Sequence, residues 1–147
     1  MSSDAHAHGG IHAASAPAPV GTYPHARRVG NLLFLSGIGP RDAVTNTIPG
    51  NVHGADGHLL GHDIDLQARA VFANVRAVLA DSGAQWSDLV DVTVYLTDMD
   101  RDFKAYNKVW AEHFPDPAMA PCRTTLGITA LPTPIAIELK CVAVFKE

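Results

Sequence analysis

The C-terminal part of the fold is decided by residues 121–139, which read PCRTTLGITALPTPIAIEL. Two runs, at about 123–130 and 135–145, have the apolar character of strands. Each run contains one charged side chain, Arg123 in the first and Glu138 in the second. Burying an unpaired charge costs free energy, so a charged side chain in a partly buried strand is expected to be paired or to serve a function. The two residues are therefore a structural ion pair, solvent-facing charges or parts of a functional site.

The preceding sequence predicts two helices and three more strands. Apolar residues recur at helical spacing between Asp63, a candidate N-cap, and Gly83, a candidate C-terminal stop. A second helix is predicted after Asp98, and residues 89–99 alternate between apolar and polar in the manner of a half-buried strand. The predicted elements are strands at about 23–28 and 32–36, the first helix, the strand at 89–99, a helix at about 101–114, and the two final strands.

The predicted order β-β-α-β-α-β-β favours an α+β domain in which two helices pack on one face of a single mixed β-sheet. Two segments, 32–35 and 135–137, are apolar at consecutive positions instead of alternating. This pattern predicts strands that are buried on both faces. We therefore expect an oligomer whose sheets face one another.

Residues 1–20 are predicted to be a flexible N-terminal arm, and residues 21–147 a single domain. The arm consists mainly of Ala, His, Gly, Ser and Pro, a composition that cannot bury a core. Its histidines are weak candidates for a metal site because no carboxylate or thiolate accompanies them on a rigid scaffold. These histidines are His6, His8 and His12. The loop at 41–62 is long for a compact domain, and such loops are often functional.

Composition excludes several classes of function. The net charge of the 147-residue chain is -4, without a basic run, so nucleic-acid binding through phosphate neutralisation is not expected. No run approaches the ~20 apolar residues of a membrane span, and no secretory signal is recognisable, so we expect a cytoplasmic protein. Cys122 and Cys141 are predicted to be buried, to pack as small apolar side chains and to lie in a reducing compartment. A disulfide between them is the alternative that the sequence leaves open.

Arg123 and Glu138 have the chemistry that a small hydrolytic site needs. A guanidinium group presents a planar fork of donors that fits a carboxylate in bidentate fashion. A glutamate can hold a water molecule and deprotonate it. The two strands therefore predict a carboxylate clamp beside a water-activating base.

Short motifs from about residue 20 to residue 146 carry a family resemblance. They are Gly21-Thr22-Tyr23, Gly30-Asn31 leading to Ser36-Gly37, Gln67 with Asn74-Val75, Val92-Thr93-Val94-Tyr95-Leu96, Tyr106-Asn107, Pro121-Cys122-Arg123, Leu131-Pro132 and Ile137-Glu138. This set resembles the RidA (YjgF/YER057c) family of imine and enamine deaminases. The resemblance implies a chorismate-mutase-like fold and a homotrimer with its sites at subunit interfaces.

The resemblance also assigns roles within the site. Arg123 would bind the substrate carboxylate, and Glu138 would hold the attacking water. The positions that would line the site are Tyr23, Ser36, Gly37, Asn107 and Thr125. No metal or organic cofactor is expected, since an imine carbon is already activated towards water.

Parts of the sequence are similar to a branch of this family, the 2-aminomuconate deaminases of bacterial aromatic degradation. These parts include residues 36–41, 91–97 and 130–140. A dicarboxylate substrate needs a second positively charged side chain to bind its second carboxylate. Arg41 is the candidate, and the alternatives are His25, Arg27 and Arg28. A broad deaminase acting on 2-aminoacrylate and 2-iminopropanoate, or a non-catalytic trimer that binds metabolites, remain the alternative functions.

Overall fold

The computed structural model describes residues 8–146 and shows two helices packed on one face of a mixed sheet. The six strands of this sheet run in the order β1-β2-β3-β8-β6-β7, and β4 and β5 form a separate hairpin. Among the strands of the described residues, only β6 and β7 pair in parallel. The elements are β1 (His8–Ile11), β2 (Ala26–Val29), β3 (Leu32–Leu35), β4 (Val52–His53), β5 (Leu59–Gly61), α1 (Ile64–Asp81), β6 (Leu89–Leu96), α2 (Met99–His113), β7 (Cys122–Gly127) and β8 (Ile137–Val144).

The helix boundaries follow the capping signals of the sequence. The Asp63 side chain accepts a hydrogen bond from the Leu66 amide, and the Asp98 side chain accepts one from the Arg101 amide. Both aspartates thus satisfy amides that the first helical turn leaves without partners. Gly83 has a φ of +83° directly after the end of α1, a conformation that favours glycine. The predicted ends of α1 and the start of α2 after Asp98 are therefore confirmed, while α2 covers Met99–His113 instead of about 101–114.

Both helices bury one apolar side against the sheet. The buried residues of α1 include Val71, Phe72, Val75 and Val78, and those of α2 include Tyr106 and Val109. The matching residues of the sheet are Leu33, Leu35, Val92, Val94, Leu96, Ile137, Leu139, Cys141 and Ala143. Two other apolar residues of the helices, Leu66 and Phe103, are exposed. The core therefore forms a single layer between helices and sheet.

The central strand β6 fixes where the two charged residues lie. It pairs with β7 on one side, where Val92 is opposite Arg123, and with β8 on the other, where Tyr95 is opposite Glu138. Val92 is buried beneath the helices, whereas Tyr95 belongs to the alternate set of residues on the open face. Because paired residues project from the same face, Arg123 lies on the helix side and Glu138 on the open side.

A register shift corrects one detail of β6. The alternation predicted that Val90 shares the buried face with Val92, but Val90 is exposed and Leu89 is buried. The ladder to β8 shifts between Leu89 and Asp91, which exchanges the faces of the residues before and after the irregularity.

The N-terminal prediction was wrong from residue 8 onwards. β1 pairs with β2 along four residues, and Ala13 is buried in the core. His25 holds the segment that follows β1 in place. Its Nδ1 accepts a hydrogen bond from the Ala13 amide, and its Nε2 lies 2.7 Å from the Pro17 carbonyl oxygen. The segment has no apolar periodicity, which is why its composition predicts an arm. Small side chains such as that of Ala13 can nevertheless be buried in the core. Residues 1–7, which include His6, lie outside the described residues.

The long loop is partly ordered by its hairpin and by two contacts to the helices. His62 Nε2 lies 2.6 Å from Asp102 Oδ2 of α2. Gly50 has a φ of +78°, and the Asp63 amide donates to its carbonyl. Within residues 8–146, no three His, Cys, Asp or Glu side chains cluster as ligands for a metal. In the same range, no helix is both long and apolar enough to cross a membrane.

The open face of the sheet is mixed in character. Phe34 of β3 is 38% exposed, so the expectation that 32–35 is buried on both faces is not met within one protomer. The prediction that both cysteines are buried is confirmed for Cys141 and wrong for Cys122, which is exposed on the edge strand β7. Burial raises the pKa of the Cys141 thiol to about 12. The buried thiol is thus a core residue.

His25→Ala is expected to lower the free energy of unfolding by about 1–3 kcal/mol, because it leaves the buried Ala13 amide without its acceptor. Urea titration monitored by circular dichroism measures the change. His58→Ala is the matched control, since the His58 side chain is exposed and should contribute little. Equal midpoints for the two variants would show that the N-terminal segment is not fastened by His25.

Candidate active site

Glu138 lies in an open cavity at the start of β8. The backbones of Ile38 and Leu139 exchange two hydrogen bonds, which bring Gly37 against the neighbouring Glu138. The cavity has a volume of about 80 Å³, and residues 16–20 form one of its walls. Sites for small ligands usually measure about 300–1,000 Å³, so this cavity resembles part of a site. The other lining residues are Tyr23, His25, Ser36, Gly37, Ile38, Gly39, Arg41, Pro132, Thr133, Ile135 and Glu138.

The Glu138 carboxylate is placed by a close approach that only glycine permits. A Cβ atom at Gly37 would lie 2.8 Å from Glu138 Oε2, so any side chain would displace the carboxylate. Burial raises the pKa of Glu138 above its usual range, because desolvation disfavours the charged form. Within the described chain, no protein group donates a hydrogen bond to this carboxylate. Its oxygens are therefore available to a water or a ligand in the cavity.

The other predicted residues of this cavity have defined partners. Ser36 Oγ donates to the Pro24 carbonyl, and the Tyr23 hydroxyl oxygen accepts from the Val20 amide. The Arg41 guanidinium donates to Asn46 Oδ1 and to the Ala18 carbonyl. These two contacts hold the arginine at the cavity wall formed by the N-terminal segment.

A second group of predicted residues surrounds Arg123. Its Nη1 donates to Asn107 Oδ1 at 2.8 Å. The guanidinium carbon lies 4.9 Å from the ring centroid of Trp110 and 5.4 Å from that of Tyr106. Thr125 belongs to this group because its Oγ1 lies 3.1 Å from the Tyr106 hydroxyl. The arginine is thus held at the edge of the sheet by aromatic faces and one amide.

The structure does not bring the two groups together within one protomer. The cavity that contains Glu138 is also lined by Tyr23, Ser36, Gly37 and Arg41. The group around Arg123 contains Asn107 and Thr125. Arg123 itself does not line the Glu138 cavity. Strand β6 separates the groups and the two charged side chains project from opposite faces. A site that uses both charges needs groups from more than one protomer.

Sequence reasoning missed two features of these groups. The segment 16–20 was assigned to the arm, yet it walls the Glu138 cavity. The helical pattern also gives no sign that the rings of Tyr106 and Trp110 in α2 face Arg123. An arginine on the strand that α2 covers was the available signal for this contact.

The alternative cations for a second carboxylate have other contacts. His25 is 3% exposed and uses both ring nitrogens within the protein. Arg28 stacks on the Phe145 ring at 3.8 Å and donates to the Gly30 carbonyl. Neither Arg27 nor Arg28 lines the cavity, so of the three candidate arginines Arg41 is the one that shares it with Glu138.

The sequence and the fold of this chain are similar to those of known proteins. A family model described as Endoribonuclease L-PSP matches residues 13–145. The RutC family protein slr0709 of Synechocystis sp. is 37% identical over 91% of this chain and 94% of that protein. The 2-iminobutanoate/2-iminopropanoate deaminase of Dermatophagoides farinae is 33% identical over 89% and 91%, respectively. The solved structure of the E. coli YjgF gene product has a TM-score of 0.78 at 28% identity, over 94% of this chain and 99% of that one.

The chain belongs to the endoribonuclease L-PSP family, which is the RidA family that its motifs resemble. The predicted fold class is confirmed, since structural neighbours such as the YjgF gene product share two helices on a mixed sheet.

Glu138→Gln is expected to raise the free energy of unfolding near pH 7, because the amide removes a charge that burial disfavours. The folded-state pKa of Glu138 lies above its unfolded value. Stability is therefore fully present below the unfolded pKa and falls as the pH rises towards the raised one. Denaturant titrations at about pH 4 and pH 7 should show that the advantage of the variant grows with pH.

Glu112→Gln is the matched control for this measurement. The pKa of Glu112 is lowered by its hydrogen bond from Arg69, so its charge favours the folded state. The control should therefore lose stability above the usual glutamate pKa, where Glu138→Gln gains it. A common direction for both variants would contradict the desolvation of Glu138.

Proposed function

We propose that this protein is a cofactor-independent deaminase that hydrolyses the imine of a 2-amino acid to a 2-oxo acid and ammonia. The observation that carries the proposal is the Glu138 carboxylate, which lies half-buried in an open cavity without a donor from the described chain. A raised pKa suits a general base that works near neutral pH. The names of two relatives, Reactive Intermediate Deaminase A of Arabidopsis thaliana and the Dermatophagoides farinae deaminase, support this chemistry.

In the proposed mechanism, Arg123 binds the substrate carboxylate and fixes the orientation of C2. An enamine substrate reacts as its imine tautomer, in which C2 is electrophilic. Glu138 accepts a proton from water while the water oxygen bonds to C2 and the C=N electron pair moves to nitrogen. Glu138 returns this proton to nitrogen, which gives the neutral carbinolamine. Glu138 then transfers the hydroxyl proton to the same nitrogen, and the carbinolamine collapses. The C–N bond breaks, ammonia leaves, and the C2 carbonyl of the 2-oxo acid forms.

The proposal includes a homotrimer whose sites lie between subunits. Arg123 and Glu138 occupy opposite faces of the sheet, so a site containing both draws one residue from each of two protomers. A cyclic trimer satisfies this requirement three times through one repeated interface. Phe34 and the other partly exposed residues of the open face offer surface for such packing.

A dicarboxylate enamine, 2-aminomuconate, is the second candidate substrate. Arg41 favours it, because this arginine lines the cavity that contains Glu138 and is held there by Asn46 and the Ala18 carbonyl. A cation in the cavity that contains Glu138 would serve a second carboxylate, which 2-iminopropanoate lacks. Hydrolysis of 2-aminomuconate would yield the 2-oxo-enedioate 4-oxalocrotonate and ammonia.

A metabolite-binding trimer without activity is the competing function. Such a protein would need Arg123 to bind a carboxylate, but a desolvated carboxylate without a protein donor would repel the same ligand. The placement of Glu138 against Gly37 therefore favours catalysis over binding alone.

Arg123→Ala and Glu138→Gln are each expected to reduce kcat/KM for 2-iminopropanoate by roughly 10²–10⁴-fold, because they remove the clamp or the base. When the two inactive variants are co-refolded in equal amounts, about one quarter of the interfaces should combine an intact Arg123 with an intact Glu138. Ammonia release from an imine generated in situ measures the recovery. No recovery in mixed oligomers would place the site within one protomer, and full activity of the single variants would refute the mechanism. Arg69→Ala, on the outer helix surface, is the control.

Arg41→Ala distinguishes the two substrate classes. Removing a charge-assisted contact is expected to raise KM for 2-aminomuconate by roughly 10–100-fold, with little change for 2-iminopropanoate. Steady-state kinetics with both substrates provide the comparison. Equal effects on both, or no effect on either, would remove the second-clamp role and leave the monocarboxylate deaminase.

A further inference from the structure

Two amide side chains outside the cavity hold one of its walls. Gln67 of α1 is fully buried, and its Oε1 accepts from the Ala136 amide at 2.8 Å. Gln67 Nε2 donates to Asn51 Oδ1, also at 2.8 Å. Asn51 Nδ2 donates in turn to the Pro134 carbonyl at 2.9 Å. Asn51 and Gln67 thus form an amide clamp on the two ends of segment 134–136.

The clamped segment forms part of the proposed active site. Ile135, at its centre, lines the cavity that contains Glu138. Its side chain packs so closely on Gly39 that a Cβ there would lie 2.8 Å from Ile135 Cδ1. The segment leads directly into β8, where Glu138 is the second residue. Any shift of the clamped backbone therefore moves a wall that the substrate would touch.

The clamp is itself positioned by the long loop. Gly50 lies against the N-terminus of α1, where the Asp63 amide donates to the Gly50 carbonyl at 2.8 Å. A side chain at Gly50 would meet the Asp63 carbonyl oxygen at 2.8 Å, so the approach requires glycine. The next residue, Asn51, is thereby brought within reach of Gln67. The loop thus connects α1 to the cavity wall through one asparagine.

We propose that Asn51, acting together with Gln67, is a positioning residue that holds the wall at 134–136 in the geometry that substrate binding requires. Glu138 has a separate support, the bridge between Ile38 and Leu139. Loss of the clamp therefore changes the shape of the binding cavity more than it changes the base. This inference rests on the proposed deaminase function and gives the long loop a role in substrate binding.

Asn51→Asp tests the clamp with a nearly isosteric change. Aspartate retains an acceptor for Gln67 Nε2, but it has no donor for the Pro134 carbonyl and places a negative charge beside that oxygen. KM for 2-iminopropanoate is expected to rise about ten-fold, while kcat changes less than about two-fold, because a displaced wall weakens binding and leaves Glu138 in place. Asn31→Asp, in the exposed turn before β3, is the matched control and should keep both constants.

A double variant and an exchange measurement complete the test. Gln67→Leu and Asn51→Asp should be strongly non-additive in kcat/KM, because both break the same network. Hydrogen exchange at residues 135–136 should quicken in Asn51→Asp, whether or not the protein turns over an imine. An unchanged KM with an active wild type, or unchanged exchange, would overturn the clamp. A wild type without turnover would instead refute the proposed function, and the exchange rates would still decide the clamp.

Discussion

The position of β6 between β7 and β8 is the constraint on which the arrangement of the site depends. Side chains alternate between the faces of a strand, so the register of two ladders assigns Arg123 to the helix side and Glu138 to the open side. A shift of either ladder by one residue would reverse one assignment and expose core residues such as Val94 or Leu139. Burial of the core therefore also fixes the separation of the two charges. The proposed interface site follows from that separation.

Each half of the proposed site is held by a different kind of contact. Arg123 rests against the rings of Tyr106 and Trp110 with its Nη1 bonded to Asn107, which limits the motion of a long side chain. Glu138 lies against Gly37, where the absence of a side chain leaves room for its carboxylate. A preorganised cation and a desolvated base cost little reorganisation when a substrate binds. The two arrangements together suit a reaction in which water attacks a carbon beside a carboxylate.

The segments that carry weak sequence signals contribute the walls of the cavity. Residues 16–20 are fixed by β1 and by His25, and segment 134–136 is fixed by Asn51 and Gln67. In both cases one or two polar side chains help to place a stretch without regular structure. Buried backbone groups need hydrogen-bond partners, so such side chains decide where an irregular segment can lie.

The sequence alone determined the helices, the order of the later strands and the identity of the two charged residues. Its periodicity and capping residues act locally, which is why Asp63, Gly83 and Asp98 could be assigned without a fold. The tertiary structure decided which face each charge occupies, that residues 8–20 join the domain, and that Arg41 lies beside Glu138. These outcomes depend on strand register and on contacts between residues distant in sequence, such as Asn51 with Pro134. A local pattern contains no information on either, because both are set by how the whole chain packs.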